Sequence, residues 1–309
     1  MGVSGAESKV TSQSKQLRHP PGYAEPVTEH RRDLAPPELR PRLRWELAIV
    51  LALSFGYAGA RAIITILERL AQDTALANQT ATINRPMSGQ QYFDLAYQLL
   101  GIVGGLAPVA LVAFLLWREH KPHLGDLGLG ARPLTLTGAP GGMSFTQLAS
   151  GRGGWPWLRE SGNGFLLAAA IGIPGLAFYL FAKWIGINTT VVPTTLDAFW
   201  WTVPVLILNA ARAALSEELI VVAYLFDRLK RLGVSVWATI IASALLRGSY
   251  HLYQGFGGFI GNVVMGLVFG WVYQRWGRSL PLIVAHLLLD IVSFVGYPLA
   301  LALWPALFG

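Results

Sequence analysis

Long apolar runs, separated by shorter polar segments, dominate the chain from about Trp45 onward. A helix needs about 20 apolar residues to cross the hydrocarbon core of a membrane, and several runs reach that length. The pattern predicts spans at residues 45–67, 95–117, 163–185, 199–226, 234–252, 257–274 and 279–296. A shorter apolar segment, 297–308, is predicted to be either a final crossing or a helix on the membrane surface. The predicted fold class is therefore all-α, a polytopic transmembrane helix bundle of seven to eight spans.

Two polar segments divide the chain into four parts. Residues 1–44 are polar and rich in proline, a composition that cannot bury a core and predicts a disordered N-terminal tail. Residues 118–162 contain several glycine-rich stretches, which favour a flexible connecting loop over a packed domain. Two N-terminal transmembrane helices, within 45–117, lie between these segments. The remaining part, 163–309, holds the other predicted spans, and we expect it to form the functional core.

Basic residues fall in alternate connecting segments. The end of the tail, the 118–162 loop and the turns at 227–233 and 275–278 carry the arginines and lysines, whereas the loops on the opposite side are nearly neutral. Basic loops usually stay on the cytoplasmic side of a membrane. The chain is therefore predicted to be a multi-pass protein of the cell membrane, with its N-terminal tail and the 118–162 loop in the cytoplasm.

The composition excludes several classes of protein. Hydrophobic residues make up 53% of the chain and charged residues 13%, with a mean hydropathy of +0.46, whereas soluble domains carry about 25% charged residues. The chain has no cysteine, so disulfides, thiolate nucleophiles and cysteine-bound metals are excluded. The net charge of +7 follows the membrane topology, and no nucleic-acid partner is expected. The expected partners are the lipid bilayer and a peptide or protein substrate.

Ionisable residues inside the predicted spans indicate a reaction site. Glu217 and Glu218 lie in one span, and His251 and His286 lie in later spans, the second of them with Asp290. An ionised side chain in hydrocarbon costs about 2.5–3.5 kcal/mol on insertion scales, so such residues are usually functional. Purely structural ion pairs between helices are the alternative, but two additional histidines are unusual in such pairs.

The spacing of these residues suggests how they are arranged. His286 and Asp290 are four residues apart and share a helix face. Glu217 and Glu218 are successive and point about 100° apart, so one can face a site while a neighbouring helix braces the other. Arg212 is a candidate for that brace.

The same residue types support two chemistries. A glutamate can act as a general base that takes a proton from water. Alternatively, His251, His286 and Glu217 can be ligands of Zn²⁺, which would activate the water instead. The familiar HExxH zinc motif is absent. Intramembrane acidic residues and histidines also occur in proton relays, so a proton-coupled transporter is a further hypothesis.

Three segments resemble the motifs of a known family. SEELIVVAYLF, RGSYH and GLVFGWVYQRWGRSLPLIVAHLLLD are similar to the patterns EExxxR, FxxxH and HxxxN/D of the CPBP (CAAX protease and bacteriocin-processing, Abi) intramembrane proteases. The resemblance covers roughly residues 165–296. Two positions depart from the pattern, because Val222 replaces the arginine and Arg247 replaces the phenylalanine. We expect Arg247 to pair with Glu218 across helices and so to replace the missing cation.

The resemblance implies an intramembrane endopeptidase that hydrolyses a peptide bond of a membrane-associated peptide or protein. Glu217 would be the general base, with His251 helping to activate the water. His286 and Asp290 would complete the site, either as metal ligands or as groups that stabilise the oxyanion. Both a zinc metalloprotease and a glutamate-type peptidase are consistent with it. A catalytically inactive scaffold of the same family is the alternative that the departure at Val222 suggests.

Depth and packing give further expectations. At 1.5 Å per residue, Glu217 and His286 lie about 10–15 Å from the cytoplasmic ends of their predicted spans, but His251 lies about 25 Å deep. A tilted or broken helix is therefore expected, with Gly248 as a place for a bend.

The glycines of the 257–274 span are expected to let helices approach closely. Asn262 on the same span is expected to hydrogen bond a neighbouring helix.

Overall fold

Helices make up most of the part of the chain that the computed structural model describes, which is residues 34–118, 121–122, 129 and 156–303. The tail up to residue 33 and most of the glycine-rich loop lie outside the described residues, as do His19, His30, His120 and His123. From Ala35 onward the chain forms one unit. The α-helices are α1 (Arg40–Leu51), α2 (Tyr57–Leu70), α3 (Gln91–Leu115), α4 (Pro156–Trp184), α5 (Thr202–Ser216), α6 (Leu225–Arg231), α7 (Val236–His251), α8 (Phe256–Trp276), α9 (Leu280–Ile291) and α10 (Tyr297–Leu303).

Shorter elements join or extend these helices. Three π-helical segments continue the helices on either side of them: Ala52–Gly56, Glu217–Tyr224 and Val292–Gly296. Three 3₁₀ turns lie at Pro37–Leu39, Leu76–Asn78 and Leu252–Gln254. The strands are β1 (Thr80–Asn84), β2 (Trp117–Arg118), β3 (Lys121–Pro122) and β4 (Thr190–Thr194).

Five continuous helical stretches of the described chain are long and apolar enough to cross a membrane. They are Pro37–Leu70, Gln91–Leu115, Leu158–Trp184, Phe256–Trp276 and Leu280–Leu303. The stretch from α5 to α6 carries Arg212, Glu217 and Glu218 of the predicted site, and α7 has only 16 residues. The chain therefore has at least five apolar helices of spanning length, whereas the count of seven to eight crossings stays a prediction.

Several helix boundaries differ from the predicted spans. The first helix begins at Arg40, inside the segment expected to be disordered, and α4 begins at Pro156 rather than near residue 163. The start of α4 at Pro156 is typical, since proline is favoured in the first turn of a helix, where a backbone N–H would have no partner. The helix after the glutamates continues to Arg231, where an ion pair of 2.9 Å with Asp227 bridges one turn.

The segment 297–308 is neither of the two predicted alternatives in its described part. Residues Tyr297–Leu303 form α10, which continues α9 through the π-helical segment Val292–Gly296. The last predicted span and this segment are thus one helix of 24 residues, Leu280–Leu303.

A small parallel sheet was not predicted, because an all-α fold was expected. β1 pairs with β4 from Thr80 opposite Thr190 to Asn84 opposite Thr194. The loop before β4 is also bound to the turn that follows α7, since the Thr189 amide donates to the Gln254 carbonyl at 2.9 Å. Gly255 has a φ of +112°, and a Cβ there would lie 2.8 Å from the Asn188 backbone. These contacts hold the chain directly after His251.

The glycines of α8 allow close helix packing, as expected. A Cβ at Gly266 would lie 2.7 Å from the Ala244 backbone on α7, and one at Gly270 would lie 3.2 Å from Ile240. α7 continues without interruption through Gly248, where a Cβ would lie 2.5 Å from Val263 of α8. Gly248 therefore serves close packing and not the expected break. Asn262 donates to the Gly258 carbonyl of its own helix, so the expected bond to a neighbouring helix was wrong.

Candidate active site

Glu218 is fully buried and is held by two helices. Its Oε1 accepts a hydrogen bond from Nη2 of Arg247 at 2.7 Å and lies 2.7 Å from Nδ1 of His286. The pair predicted between Arg247 and Glu218 is thus present. The Arg247 guanidinium also lies over the Phe269 ring, 5.2 Å from its centroid. A buried carboxylate held by a cation and an imidazole is fixed in place, so Glu218 is a bracing residue in this geometry.

Glu217 lies in a different environment although it is the next residue. Its Oε2 accepts a hydrogen bond from the Tyr250 hydroxyl at 2.8 Å and lies 3.6 Å from Nη1 of Arg247. Its Oε1 lies 4.0 Å from Nε2 of His251. The side chain is 10% exposed, compared with 0% for Glu218. One oxygen of Glu217 is therefore anchored, whereas the other faces His251.

The two histidines approach different members of the glutamate pair: His286 contacts Glu218, and His251 lies near Glu217. His286 lies on α9 with Nε2 3.6 Å from Oδ2 of Asp290, one turn further along the same helix. His251 is the last residue of α7, and its ring nitrogens have no hydrogen-bond partner among the described residues. The structure brings together the five residues that the sequence singled out: Glu217, Glu218, His251, His286 and Asp290.

Arg212 does not brace the glutamates as expected. Its Nε donates to Oδ1 of Asn209 on the same helix at 3.4 Å, and no ion pair joins it to another described residue. Its charge attracts those of Glu217 and Asp290 only at longer range. The groups that hold Glu217 are Tyr250 and Arg247 instead.

Sequence reasoning missed Tyr250, Tyr253 and Ser243. Tyr250 precedes His251 in RGSYH, and its polar hydroxyl inside a span was a signal that could have been used. Tyr253 lies in the 3₁₀ turn after α7, outside the predicted spans. Burial raises the pKa of its phenol, and the negative charges of Glu217 and Asp290 act in the same direction. Tyr253 is therefore a neutral hydroxyl at the edge of the site.

The glutamates stand at the start of a π-helical segment, Glu217–Tyr224. The wider hydrogen-bonding pattern of a π-helix is rare and is often found at functional sites. The Ser243 hydroxyl of α7 donates to the Val221 carbonyl at 2.7 Å, fully buried, and so supports the segment from outside. The sequence carried no evident signal for this local change of helix type.

The extra length of the helices removes most of the conflict in depth. At 1.5 Å per residue, Glu217 lies about 20 Å from Arg231 along its helix, and His251 lies about 20 Å from Val236 along α7. Ile283, close to the start of α9, packs in one cluster with Ile220 and Tyr224, so α9 begins deeper than the neighbouring helices. His286 therefore reaches the glutamates without a broken helix.

The site is closed towards the basic last turn of α6 and open towards the opposite side. Residues from Leu219 to Tyr224, which follow the glutamates, are at most 3% exposed. In contrast, the side chains of His251 and Asp290 are 21% and 22% exposed. The opening therefore lies on the side of the β1–β4 sheet and the turn Leu252–Gln254.

The arrangement of donors does not match a zinc site. In the described part of the chain, no group of three or more His, Asp or Glu side chains is placed to hold a metal ion. Nδ1 of His286 is engaged with Glu218, and its Nε2 faces Asp290. The residues proposed as zinc ligands, His251, His286 and Glu217, therefore do not converge on one point in this conformation.

Comparison with known proteins agrees with the family seen in the motifs. Residues 199–292 match the family described as "Type II CAAX prenyl endopeptidase Rce1-like". This segment contains every candidate site residue named above. No curated protein and no solved structure matches the chain. The resemblance to the CPBP family is thus confirmed over residues 199–292.

Proposed function

We propose that this chain, a multi-pass membrane protein whose residues 199–292 match the Rce1-like family, is an intramembrane endopeptidase. The observation that carries the proposal is the pair formed by Oε1 of Glu217 and Nε2 of His251, 4.0 Å apart at the open side of the site. Two atoms at that separation can both hydrogen bond one water molecule, because each bond needs about 2.8 Å. The family match favours peptide hydrolysis over proton-coupled transport.

In the proposed reaction Glu217 is the general base. It takes a proton from the water while the water oxygen adds to the carbonyl carbon of the peptide bond. The carbonyl becomes an oxyanion. When the C–N bond breaks, the proton passes from Glu217 to the leaving amine. His251 orients the water through Nε2, and Tyr250 and Arg247 keep the carboxylate turned towards it.

We assign stabilisation of the oxyanion to His286. Its imidazole lies between the carboxylates of Glu218 and Asp290, an arrangement that favours the positively charged form. A fixed positive charge near the developing oxyanion lowers the barrier because little reorganisation is needed during the reaction. Glu218 and Asp290 then act by positioning the imidazole.

Zinc remains a cofactor to be tested. If bound, it would be held by His251, His286 and Glu217 and would lower the pKa of a bound water. Since these side chains do not converge, the steps above use only residues of the chain. Metal content of the purified protein, measured before and after a chelator, distinguishes the zinc metalloprotease from the glutamate-type peptidase.

The substrate class that we propose is the one named in the family description, that of a CAAX prenyl endopeptidase. A prenylated CAAX-type peptide is therefore the first substrate to assay, followed by unmodified membrane-associated peptides. Cleavage of the first but not the second would assign prenyl recognition to this chain.

Replacement of the general base tests the proposal. We expect Glu217→Gln to lose at least about 100-fold in peptidase activity, the usual contribution of a general base, with an unchanged melting temperature. Glu38→Gln, an exposed position before α1, is the matched control and should retain full activity. Full activity of Glu217→Gln would contradict the proposed role, and the absence of any hydrolysis by the native protein would favour the inactive scaffold.

A further inference from the structure

A polar cavity lies at the end of the first apolar helical stretch of spanning length, Pro37–Leu70. It has a volume of about 500 Å³ and is bounded by the last turns of α2, the loop after it and the start of β1. Three arginines and one glutamate line it: Arg61, Arg69, Arg85 and Glu68. The charged lining is therefore net positive by two, which favours an anion.

Arg69 is held in place by the wall of the cavity. Its Nη1 donates to Oε1 of Gln79 at 3.2 Å, and its Nη2 donates to the Thr80 carbonyl at 3.0 Å. Gln79, which is buried, is fixed in turn by donating to the carbonyls of Arg69 and Thr74. Nε of Arg69 is buried and has no partner among the described residues. The cavity thus contains one preorganised guanidinium.

Arg61 and Arg85 supply the other two positive charges. Neither forms an ion pair with a residue of the described chain. Arg61 lies nine residues before the end of α2, about 13 Å along the helix axis. An arginine at that depth without a charged partner among the described residues is costly in a membrane and usually marks a binding site.

The surface beside the cavity is apolar. Tyr57 and Ile64 flank Arg61 on one face of α2, at intervals of four and three residues. They are 71% and 67% exposed. A ligand in this position would meet guanidinium groups near the end of the helix and an apolar strip deeper along it. That combination fits an amphiphile with an anionic head.

We propose that this cavity binds the phosphate group of an anionic lipid, with the acyl chains lying along Tyr57 and Ile64. Arginine recognises phosphate through several N–H donors in a fixed plane, and basic side chains at a membrane surface attract anionic headgroups. No residue that lines the cavity is one of the candidate catalytic residues, and the proposal does not depend on the proposed peptidase activity.

Lipid titration of the purified protein tests this site. The protein in detergent is titrated with short-chain phosphatidylglycerol, short-chain phosphatidylcholine or inorganic phosphate, and the melting temperature is followed. We expect only phosphatidylglycerol to raise it. Arg85→Gln, at an exposed loop position, should weaken that effect about fivefold, and Arg61→Gln should do the same. Arg275→Gln, an exposed arginine at the end of α8, is the control and should bind as the native protein does.

Several outcomes would overturn the proposal. Equal stabilisation by phosphatidylcholine would show that charge is not recognised. An equal effect of inorganic phosphate would assign the site to free anions and not to lipid. Equal weakening in Arg275→Gln would show that the effect is general surface charge. Displacement of the lipid by a peptide with a free carboxylate at similar concentration would assign the cavity to the substrate.

Discussion

Two successive glutamates differ in role because their neighbours differ. Glu218 has no exposed surface and shares one oxygen between Arg247 and His286. Glu217 is anchored through one oxygen and leaves the other near His251. A buried carboxylate that is bound to two neighbouring side chains can position them but cannot easily reach water. The two glutamates therefore differ in role because of contacts from other helices. The sequence of the pair alone does not distinguish them.

The hydroxyl of Tyr250 provides a test at this scale. Tyr250→Phe removes the bond to Glu217, and we expect about a tenfold loss of activity because the base is no longer oriented. Tyr224→Phe is a matched control, since it removes a similar bond of 3.0 Å to Glu46 outside the site. Both variants should lose about 1 kcal/mol of stability, measured by unfolding. Equal loss of activity in the two variants would mean that Tyr250 has only a structural role.

At the scale of elements, α7 and α8 determine how close Arg247 comes to the glutamates. Gly266 of α8 packs against Ala244 of α7, one turn from Arg247, and leaves no room for a methyl group. The π-helical segment Glu217–Tyr224 is held against α7 by Ser243. The close contact of Gly266 with Ala244 and the buried hydroxyl of Ser243 thus keep α7 and α8 packed closely around the charged site.

Alanine substitutions separate close packing from helix propensity. We expect Gly266→Ala to destabilise the protein by about 1–3 kcal/mol, because its Cβ would lie 2.7 Å from the Ala244 backbone. Gly261→Ala, whose Cβ would meet Phe178 at an ordinary 3.6 Å, should be neutral or stabilising by up to about 1 kcal/mol. Thermal unfolding in detergent measures both. A stable Gly266→Ala variant would contradict the packing seen between these helices.

The elements also show what could be predicted from the sequence. The apolar runs predicted most helices, and the cost of intramembrane charge identified Glu217, His251 and His286. The pairing of Arg247 with Glu218 followed from two departures in one family pattern. The π-helical segment and the β1–β4 sheet could not be predicted, because both depend on contacts between distant parts of the chain.

At the scale of the whole molecule, the site opens on one side only. The buried layer Leu219–Tyr224 lies between the glutamates and the basic last turn of α6, whereas His251 and Asp290 are partly exposed at the other side. The positive-inside rule places the basic turn in the cytoplasm. The opening is then predicted to face away from the cytoplasm.

The absence of cysteine makes this orientation easy to measure. Asp73→Cys lies in the loop after α2, on the side of the opening, and Gln274→Cys lies near the end of α8, on the side of the basic turns. Both positions are exposed, and each variant contains a single thiol. In intact cells we expect a membrane-impermeant maleimide to label Asp73→Cys and to label Gln274→Cys only after permeabilisation. The reverse pattern would invert the predicted topology.

The sealed layer behind the glutamates has a consequence for how the protein responds to its surroundings. Because the partly exposed side chains of the site lie on one side of this layer, we expect water and protons to reach Glu217 from one compartment only. The protonation state of the site would then follow the acidity of that compartment and ignore the acidity of the other. A cell could thus slow or accelerate this protein by acidifying a single side of the membrane, without changing the protein or its amount.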